Sequence, residues 1–197
     1  MYAFKGFDPG LICLGYQFVM GKNITTEANC RQNGFHCAEN PLDCLSYYGD
    51  IHHSEYCLVI PEGDIDEDQV DSKISCTELN IVKQLTLRDF FLHALAYMVD
   101  HPNRPWNSRV QKGLGTASNG YCVVRGADPI ACGKNGDILA FAQEDPTTGE
   151  ITQVALTTVN GKNIKPDTWY DINLQPRKVK NRDKEKATRP ASAARHQ

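Results

Sequence analysis

The stretch GFHCAENPLDCLSYYG, residues 34–49, decides the local fold of the N-terminal half of the chain. Asn40 can cap a helix, and the following Pro41 suits the first helical position because proline lacks the N–H that goes unused there. Gly49 can end the helix, because glycine adopts the left-handed backbone that closes helices. The stretch therefore predicts a short helix over residues 41–48.

Outward from this stretch, the apolar pattern predicts strands. Residues 2–7 and 11–19 read as two strands joined by an Asp-Pro-Gly turn at 8–10. Residues 56–60 are a continuous aromatic and aliphatic run, typical of a buried strand, and Pro61 is predicted to close it.

Residues 62–71 carry six carboxylates in ten positions. Asp64, Asp66 and Asp68 have the first three spacings of a calcium-binding loop, but the required glycine position holds Gln69. Like charges at this density repel one another, so the segment is predicted to be a solvated acidic loop without a metal.

A longer helix is predicted after Thr86, whose hydroxyl can cap it, with Asp89 in its first turn. Pro102 ends the helical pattern. The apolar positions follow the spacing of one helix face: Leu87, Phe90, Phe91, Ala94, Leu95 and Met98. This face is predicted to pack on a sheet.

The C-terminal half is predicted to be β-structure. Glycine recurs every six or seven residues between 120 and 136, a spacing typical of short parallel coils in a rudimentary β-solenoid. Residues 138–143 and 151–159 alternate as strands, and the Asn-Gly pair at 160–161 predicts a tight hairpin turn.

The predicted fold class is therefore α+β. A domain over residues 1–106 contains a mixed sheet with two helices, and the polar, glycine-bearing segment 103–118 marks its boundary. A small β module over 107–176 follows, built of the rudimentary solenoid and antiparallel hairpins. Residues 177–197 have almost no large apolar side chain and are predicted to be a basic disordered tail.

Charge is unevenly distributed along the chain. Residues 177–197 contain eight Lys/Arg and two Asp/Glu, whereas residues 1–176 contain 13 and 22, a net charge of −9. An acidic body of this kind repels nucleic acid and favours basic protein surfaces. The positive charge of residues 177–197 predicts at most a weak, salt-sensitive contact of the tail with nucleic acid.

The chain begins without the charged and apolar regions of a signal peptide, and no stretch approaches 18 consecutive apolar residues. We therefore expect a soluble, cytoplasmic protein without a membrane partner. The eight cysteines then read as free, mostly buried thiols.

Cysteine chemistry offers two alternatives, both weaker than free thiols. Cys30, His36, Cys37 and Cys44 are potential zinc ligands, but no pair has the C-x-x-C spacing. Cys37 is also a candidate nucleophile, although neighbouring side chains on a strand point to opposite faces, so His36 cannot serve as its base. Either His52 or His53 would have to supply that base.

Several motifs resemble a family of unknown function that is common in phages and prophages of gut bacteria. The specific stretches are 3–7 (AFKGF), 13–18 (CLGYQF) and 34–48. Two weaker stretches, 72–74 and 159–170, agree with the same family. The resemblance implies a phage origin and no defined activity.

The order of elements also resembles compact ADP-ribosyltransferases. Lys5 lies on the first strand, where those enzymes carry Arg or His, and the resemblance implies that Tyr2, Lys5, His36 and Tyr48 would line one NAD-binding cleft.

The sequence departs from the transferase pattern at its catalytic carboxylate. No Glu-x-Glu or Gln-x-Glu pair follows on a later strand, so Glu62 or Glu78 would have to replace it. This NAD-dependent enzyme is the alternative prediction of function.

The leading prediction is a non-enzymatic, phage-type binding protein, without cofactor or metal, in the bacterial host cytoplasm. Its partner is predicted to be a host protein or protein–nucleic-acid complex, for example a defence complex or nuclease that it inhibits. The predicted binding residues are Tyr2, Lys5, His36, Glu39, Tyr47 and Tyr48.

Overall fold

A computed structural model describes residues 1–30, 32–67 and 72–179. The chain divides into two compact units, Met1–His101 and Pro102–Gln197. Most of the predicted disordered tail, together with the end of the predicted acidic loop, lies outside the described residues. The described fold is mostly β with two helices, broadly α+β.

The described residues of the first unit form seven strands and both helices. The strands are β1 Ala3–Phe7, β2 Ile12–Cys13, β3 Tyr16–Gln17, β4 Gly21–Ile24, β5 Phe35–Ala38, β6 Glu55–Glu67 and β7 Lys73–Leu85. The helices are α1 Pro41–Cys44 and α2 Leu87–Asp100.

The main sheet of the first unit closes on itself. β7 pairs with β6 along one edge and with β4 and β5 along the other, and β1 joins β5 to β6. Every one of these pairings between described strands is antiparallel, so the predicted mixed sheet is wrong. β6 and β7 follow each other along the chain, and consecutive strands of this kind pair antiparallel because no crossover element separates them.

The interior of the closed sheet is an apolar cluster. Ala3 and Phe7 point into it from β1, and the rings of Phe7 and Phe35 both pack edge-on or near edge-on against Phe18, with centroids 5.2 and 4.8 Å away. Because side chains alternate along a strand, Lys5 points to the same interior. A charged side chain therefore lies among apolar ones.

Three predicted boundaries are wrong in the first unit. Residues 11–19 form the small hairpin of β2 and β3, because Leu14 and Gly15 have left-handed φ angles of 50° and 79° and turn the chain. The short helix ends at Cys44, and the amide of Tyr48 donates to the Cys44 carbonyl at 2.9 Å in a further turn.

The third wrong boundary is Pro61, which does not close its strand. β6 runs on to Glu67, so the first part of the predicted acidic loop is a strand paired with β7. β1 covers the edge of β6 only as far as Val59. Beyond that point no described strand pairs with this edge, and proline is tolerated on an unpaired edge.

Helix α2 confirms the predicted cap and the predicted apolar face. The Thr86 hydroxyl oxygen accepts a hydrogen bond from the Asp89 amide at 3.1 Å. Phe90 stacks on Tyr56 of β6 with ring centroids 4.1 Å apart, and the predicted face is buried from Phe90 to Met98. Within the described residues, neither helix is long and apolar enough to cross a bilayer.

The second unit is a sheet of six strands: β8 Val110–Thr116, β9 Tyr121–Cys132, β10 Ile138–Glu144, β11 Ile151–Thr158, β12 Trp169–Asp171 and β13 Pro176–Arg177. β9 pairs in parallel with both β8 and β10. β11 is antiparallel to β10, and β12 is antiparallel to β9.

Strand β8 lies within the polar segment 103–118 and pairs with β9 despite its glycines. One expectation for the second unit is wrong. The Asn160-Gly161 pair does not form a tight hairpin, because both amides donate to the Ile164 carbonyl at 3.0 Å in a wider turn. β12 pairs with β9 and β13 rather than with β11.

Removing the cap of α2 should destabilise the first unit. We expect Thr86→Ala to lower the free energy of unfolding by about 1 kcal/mol, because the Asp89 amide loses its acceptor. Urea unfolding followed by circular dichroism measures the change. Thr86→Ser keeps the hydroxyl and should lose much less; equal losses for both variants would contradict the capping role.

Candidate functional site

A pocket of about 570 Å³ opens in the first unit. Its walls come from β1, from the β2–β3 hairpin, from β5 and from the turn after α1. The chemically distinctive lining residues are Lys5, His36, Asp43, Tyr47, Tyr48 and Lys73.

Lys5 is the buried charge of this pocket. Its side chain is held inside the closed sheet, and the residue is only 4% exposed. The ammonium Nζ donates to the His36 carbonyl at 2.8 Å, lies 3.5 Å from Cys13 Sγ, and is 5.2 Å from the ring centroids of both Phe7 and Phe18. It forms no ion pair with a carboxylate from the part of the chain that the structure describes.

His36 is half-buried beside this lysine. Burial, and then the positive charges of Lys5 and Lys73, lower the pKa of the imidazole from its ordinary value of 6.5. The ring is therefore neutral at neutral pH and adds no second positive charge to the pocket.

Tyr48 forms an aromatic wall, and its position depends on Gly6. A Cβ atom added at Gly6 would lie 2.6 Å from Cδ2 of the tyrosine ring, so only glycine allows this approach. Burial, followed by the hydrogen bond with Cys13, raises the pKa of the Tyr48 hydroxyl. The Tyr48 carbonyl accepts a hydrogen bond from Tyr56, which ties the turn to β6.

Tyr47 and Lys73 lie together at the mouth of the pocket. The Lys73 ammonium is 4.2 Å from the Tyr47 ring centroid and donates to its hydroxyl. Asp43 also lines the pocket, and its Oδ2 accepts from the Ser72 hydroxyl at 2.6 Å. The carboxylate is thereby held by the start of β7.

Leu14 is a lining residue that the sequence analysis missed. It is 97% exposed at the tip of the β2–β3 hairpin, in left-handed backbone that disfavours a leucine. Leu14 therefore lies outside the apolar core of the unit. Gly15 beside it is the one sequence signal for the turn.

The structure brings four of the six predicted binding residues together at the pocket: Lys5, His36, Tyr47 and Tyr48. It does not bring Tyr2 or Glu39 there. Tyr2 is 62% exposed and lies before β1, and Glu39 Oε2 accepts instead from the hydroxyl of Tyr97 on α2 at 3.3 Å.

The carboxylates predicted for the transferase alternative are also elsewhere. Glu62 and Glu78 face each other across β6 and β7, and Glu78 Oε2 is 2.6 Å from Lys22 Nζ. Neither residue lines the pocket. The carboxylates that do line it are Asp8 and Asp43.

The predicted zinc ligands are not gathered into a site. Among residues 1–30, 32–67 and 72–179, no group of three or more His, Cys, Asp or Glu side chains could hold a metal ion.

Cys37, the candidate thiol nucleophile, is not activated in the structure. A hydrogen bond with Cys76, and then burial, raise the pKa of Cys37 well above its ordinary value. The proposed bases do not line the pocket, and the His53 ring is 2.9 Å from Asp50 on the surface. A neutral buried thiol is a poor nucleophile.

A second surface of the first unit is acidic. Every residue of β6 from 62 to 67 is exposed, and the described carboxylates on it are Glu62, Asp64, Asp66 and Glu67. Asp66 Oδ2 accepts from the Cys30 amide at 2.7 Å. We call residues 62–67 the acidic edge.

The negative charge of the chain belongs to this unit. Residues 1–101 contain six Lys/Arg and fifteen Asp/Glu, a net charge of −9, whereas residues 102–176 contain seven of each. Six of the fifteen acidic residues lie in 62–71.

The first unit therefore combines a closed antiparallel sheet, an interior lysine, an aromatic-walled pocket and an acidic edge. Residues 1–93, which hold all of these features, match a family model described as a domain of unknown function (DUF7666). The match covers slightly less than half of the chain. No curated protein and no solved structure matches the sequence.

The contact between Gly6 and Tyr48 can be tested by a double-mutant cycle. We expect Gly6→Ala to lower the free energy of unfolding by about 1–3 kcal/mol, because the added methyl group overlaps the tyrosine ring. The loss should be smaller when Tyr48 is already alanine, because most of the overlapping atoms are then absent. The free energies of unfolding are measured by chemical denaturation. If the losses of the two single variants simply add in the double variant, the contact between Gly6 and Tyr48 is contradicted.

The cysteines should differ in reactivity as their burial differs. Burial raises the pKa of Cys44 to about 12, and burial also raises the pKa of Cys57 to about 12. With a thiol reagent at about pH 8, we expect Cys13 and Cys30 alone to react in the native protein, because they are the two partly exposed thiols. Peptide mass spectrometry identifies the labelled sites, with denatured protein as the control. Rapid labelling of Cys37 in the native state would contradict this arrangement.

Proposed function

We propose that this chain is a binding protein whose acidic first unit docks on a basic surface of a partner macromolecule. The observation that carries the proposal is the acidic edge, an exposed strand segment on a unit of net charge −9. The carboxylates project from a strand whose backbone is paired with β7, so the backbone that carries them is ordered before binding.

Preorganised charge favours binding because little conformational entropy is lost on association. None of the described strands pairs with the edge of β6 beyond Val59, so backbone donors and acceptors there lie beside the carboxylates. A basic extended segment could meet both sets of groups at once. The same carboxylates would exclude acidic or uncharged strands, because unpaired charge on an edge opposes non-specific pairing.

The motifs that resemble a phage and prophage family indicate the class of partner, a macromolecule of the bacterial host. We infer that the partner is a host protein or protein–nucleic-acid complex in the bacterial cytoplasm, bound so as to interfere with it. Surfaces that hold nucleic acid are basic, so an acidic protein can compete for them. A defence complex or nuclease has such a surface.

An NAD-dependent transferase is the second candidate. Of the four residues that the resemblance implies for the NAD cleft, Lys5, His36 and Tyr48 line one pocket and Tyr2 does not. The positions of Glu62 and Glu78 count against it, because neither carboxylate lines that pocket. Release of nicotinamide from NAD by the purified chain would favour the transferase over the binding protein.

The docking proposal is tested with tagged full-length chains and a bacterial host lysate. Glu62→Lys/Asp64→Lys reverses charge on the acidic edge, and Asp100→Lys/Glu150→Lys changes the net charge equally at exposed positions elsewhere. We expect the wild-type chain and the second variant to recover the same partner at moderate salt. Recovery by the edge variant should fall by about tenfold or more, because the paired charges then repel.

Equal recovery by the two variants would show that only net charge matters, and would contradict docking at the acidic edge. Recovery of no partner by the wild-type chain would contradict the binding function itself. Quantitative mass spectrometry of the eluates measures both outcomes.

A further inference from the structure

The interior of the closed sheet holds the positive charge of Lys5, which forms no ion pair with any carboxylate of residues 1–30, 32–67 or 72–179. Lys5 Nζ has the His36 carbonyl at 2.8 Å and Cys13 Sγ at 3.5 Å as its hydrogen-bonding neighbours. Of the carboxylates at the pocket, Asp43 is held by Ser72, and no described ion pair joins Lys5 to Asp8 or Asp43.

Burial of an ammonium group is costly unless an opposite charge and further hydrogen bonds compensate it. An ammonium group has three N–H donors and a full positive charge. The His36 carbonyl and the weakly accepting Cys13 sulfur leave one donor without an acceptor among these neighbours and do not neutralise the charge. A methionine would fill the same interior position without a charge. The lysine is therefore better explained by a ligand than by the stability of the fold.

We propose that the pocket binds a small molecule with an anionic group, which pairs with the Lys5 ammonium, and an apolar or planar body. Lys5, Cys13 and His36 all line the pocket, so the ammonium lies where a ligand can reach it. Carboxylate, phosphate and sulfonate groups share the required charge and acceptor geometry.

The other walls of the pocket fit the body of such a ligand. Tyr48 lies fixed on Gly6, Phe4 and Ala38 contribute apolar surface, and Leu14 stands exposed at the mouth. A pocket of about 570 Å³ is within the range of small-molecule sites, of about 300–1,000 Å³, in which a few polar groups orient a ligand against apolar walls. None of residues 62–67 lines the pocket, so this proposal does not rest on the docking function.

The test uses two fluorescent probes of similar shape on the full chain. Anilinonaphthalene sulfonate carries an anionic group, and N-phenylnaphthylamine is its neutral counterpart. Lys5→Gln removes the charge but keeps a donor for the His36 carbonyl, and Lys5→Met removes both. Lys83→Met is the matched control, because that lysine is exposed on β7 and does not line the pocket.

We expect both Lys5 variants to bind the sulfonate about tenfold or more weakly than the wild-type chain, and the neutral probe about equally. Lys83→Met should bind both probes as the wild-type chain does. Inorganic phosphate and benzoate, added as competitors, show whether a phosphate or a carboxylate is preferred at Lys5. Thermal unfolding confirms that each variant is folded.

Equal affinity of the sulfonate for the wild-type chain and Lys5→Gln would overturn the proposal. Equal weakening of both probes would also overturn it, because the lysine would then matter only for the shape of the pocket. If Lys5→Met does not fold, Lys5→Gln alone decides between these results.

Discussion

The pairing of β1 with both β5 and β6 is the constraint on which the first unit depends. Without it the sheet would stay open, because β6 and β7 alone form a long hairpin. Closure places alternate residues of AFKGF on opposite sides, so Lys5 enters the interior and Gly6 faces outward beneath Tyr48. Strand β1 therefore contributes both the buried Lys5 ammonium and Gly6, the residue against which Tyr48 packs.

The two candidate surfaces have opposite electrostatic character. The acidic edge lies in solvent, where salt screens charges over about 10 Å at 0.1 M ionic strength, so docking there is salt-sensitive. The Lys5 ammonium is enclosed by Phe7 and Phe18, where screening is weaker and pairing with an anion is stronger. The two proposed kinds of binding, of a basic macromolecule and of a small anion, would therefore respond differently to salt.

Sequence patterns were sufficient where the physical cause is local. The Thr86 cap and the apolar face from Phe90 predicted α2, and Asn40 predicted the start of α1, because capping and helical spacing involve close neighbours. Four pocket residues were also predicted as binding residues. That they share a pocket depends on closure of the sheet through β1, which joins segments far apart in sequence.

The wrong predictions arose where distant pairing outweighed local preference. Carboxylates and glycine are rare in strands, so residues 62–67 read as a loop, yet pairing with β7 makes them a strand. β8 was missed for the same reason. The exposure of Leu14 could not be predicted, because it follows from the hairpin fold, whereas an apolar residue in a sequence normally indicates a core position.

The central claim is that the Lys5 ammonium is enclosed and available to an anion. Nitrogen-detected NMR of lysine side chains tests it most directly, because an ammonium group held in a hydrogen bond away from water exchanges its protons slowly. We expect one protected ammonium signal that is absent in Lys5→Gln and that shifts when a sulfonate probe is added. An exchange-broadened Lys5 signal, indistinguishable from surface lysines and unaffected by the probe, would contradict it.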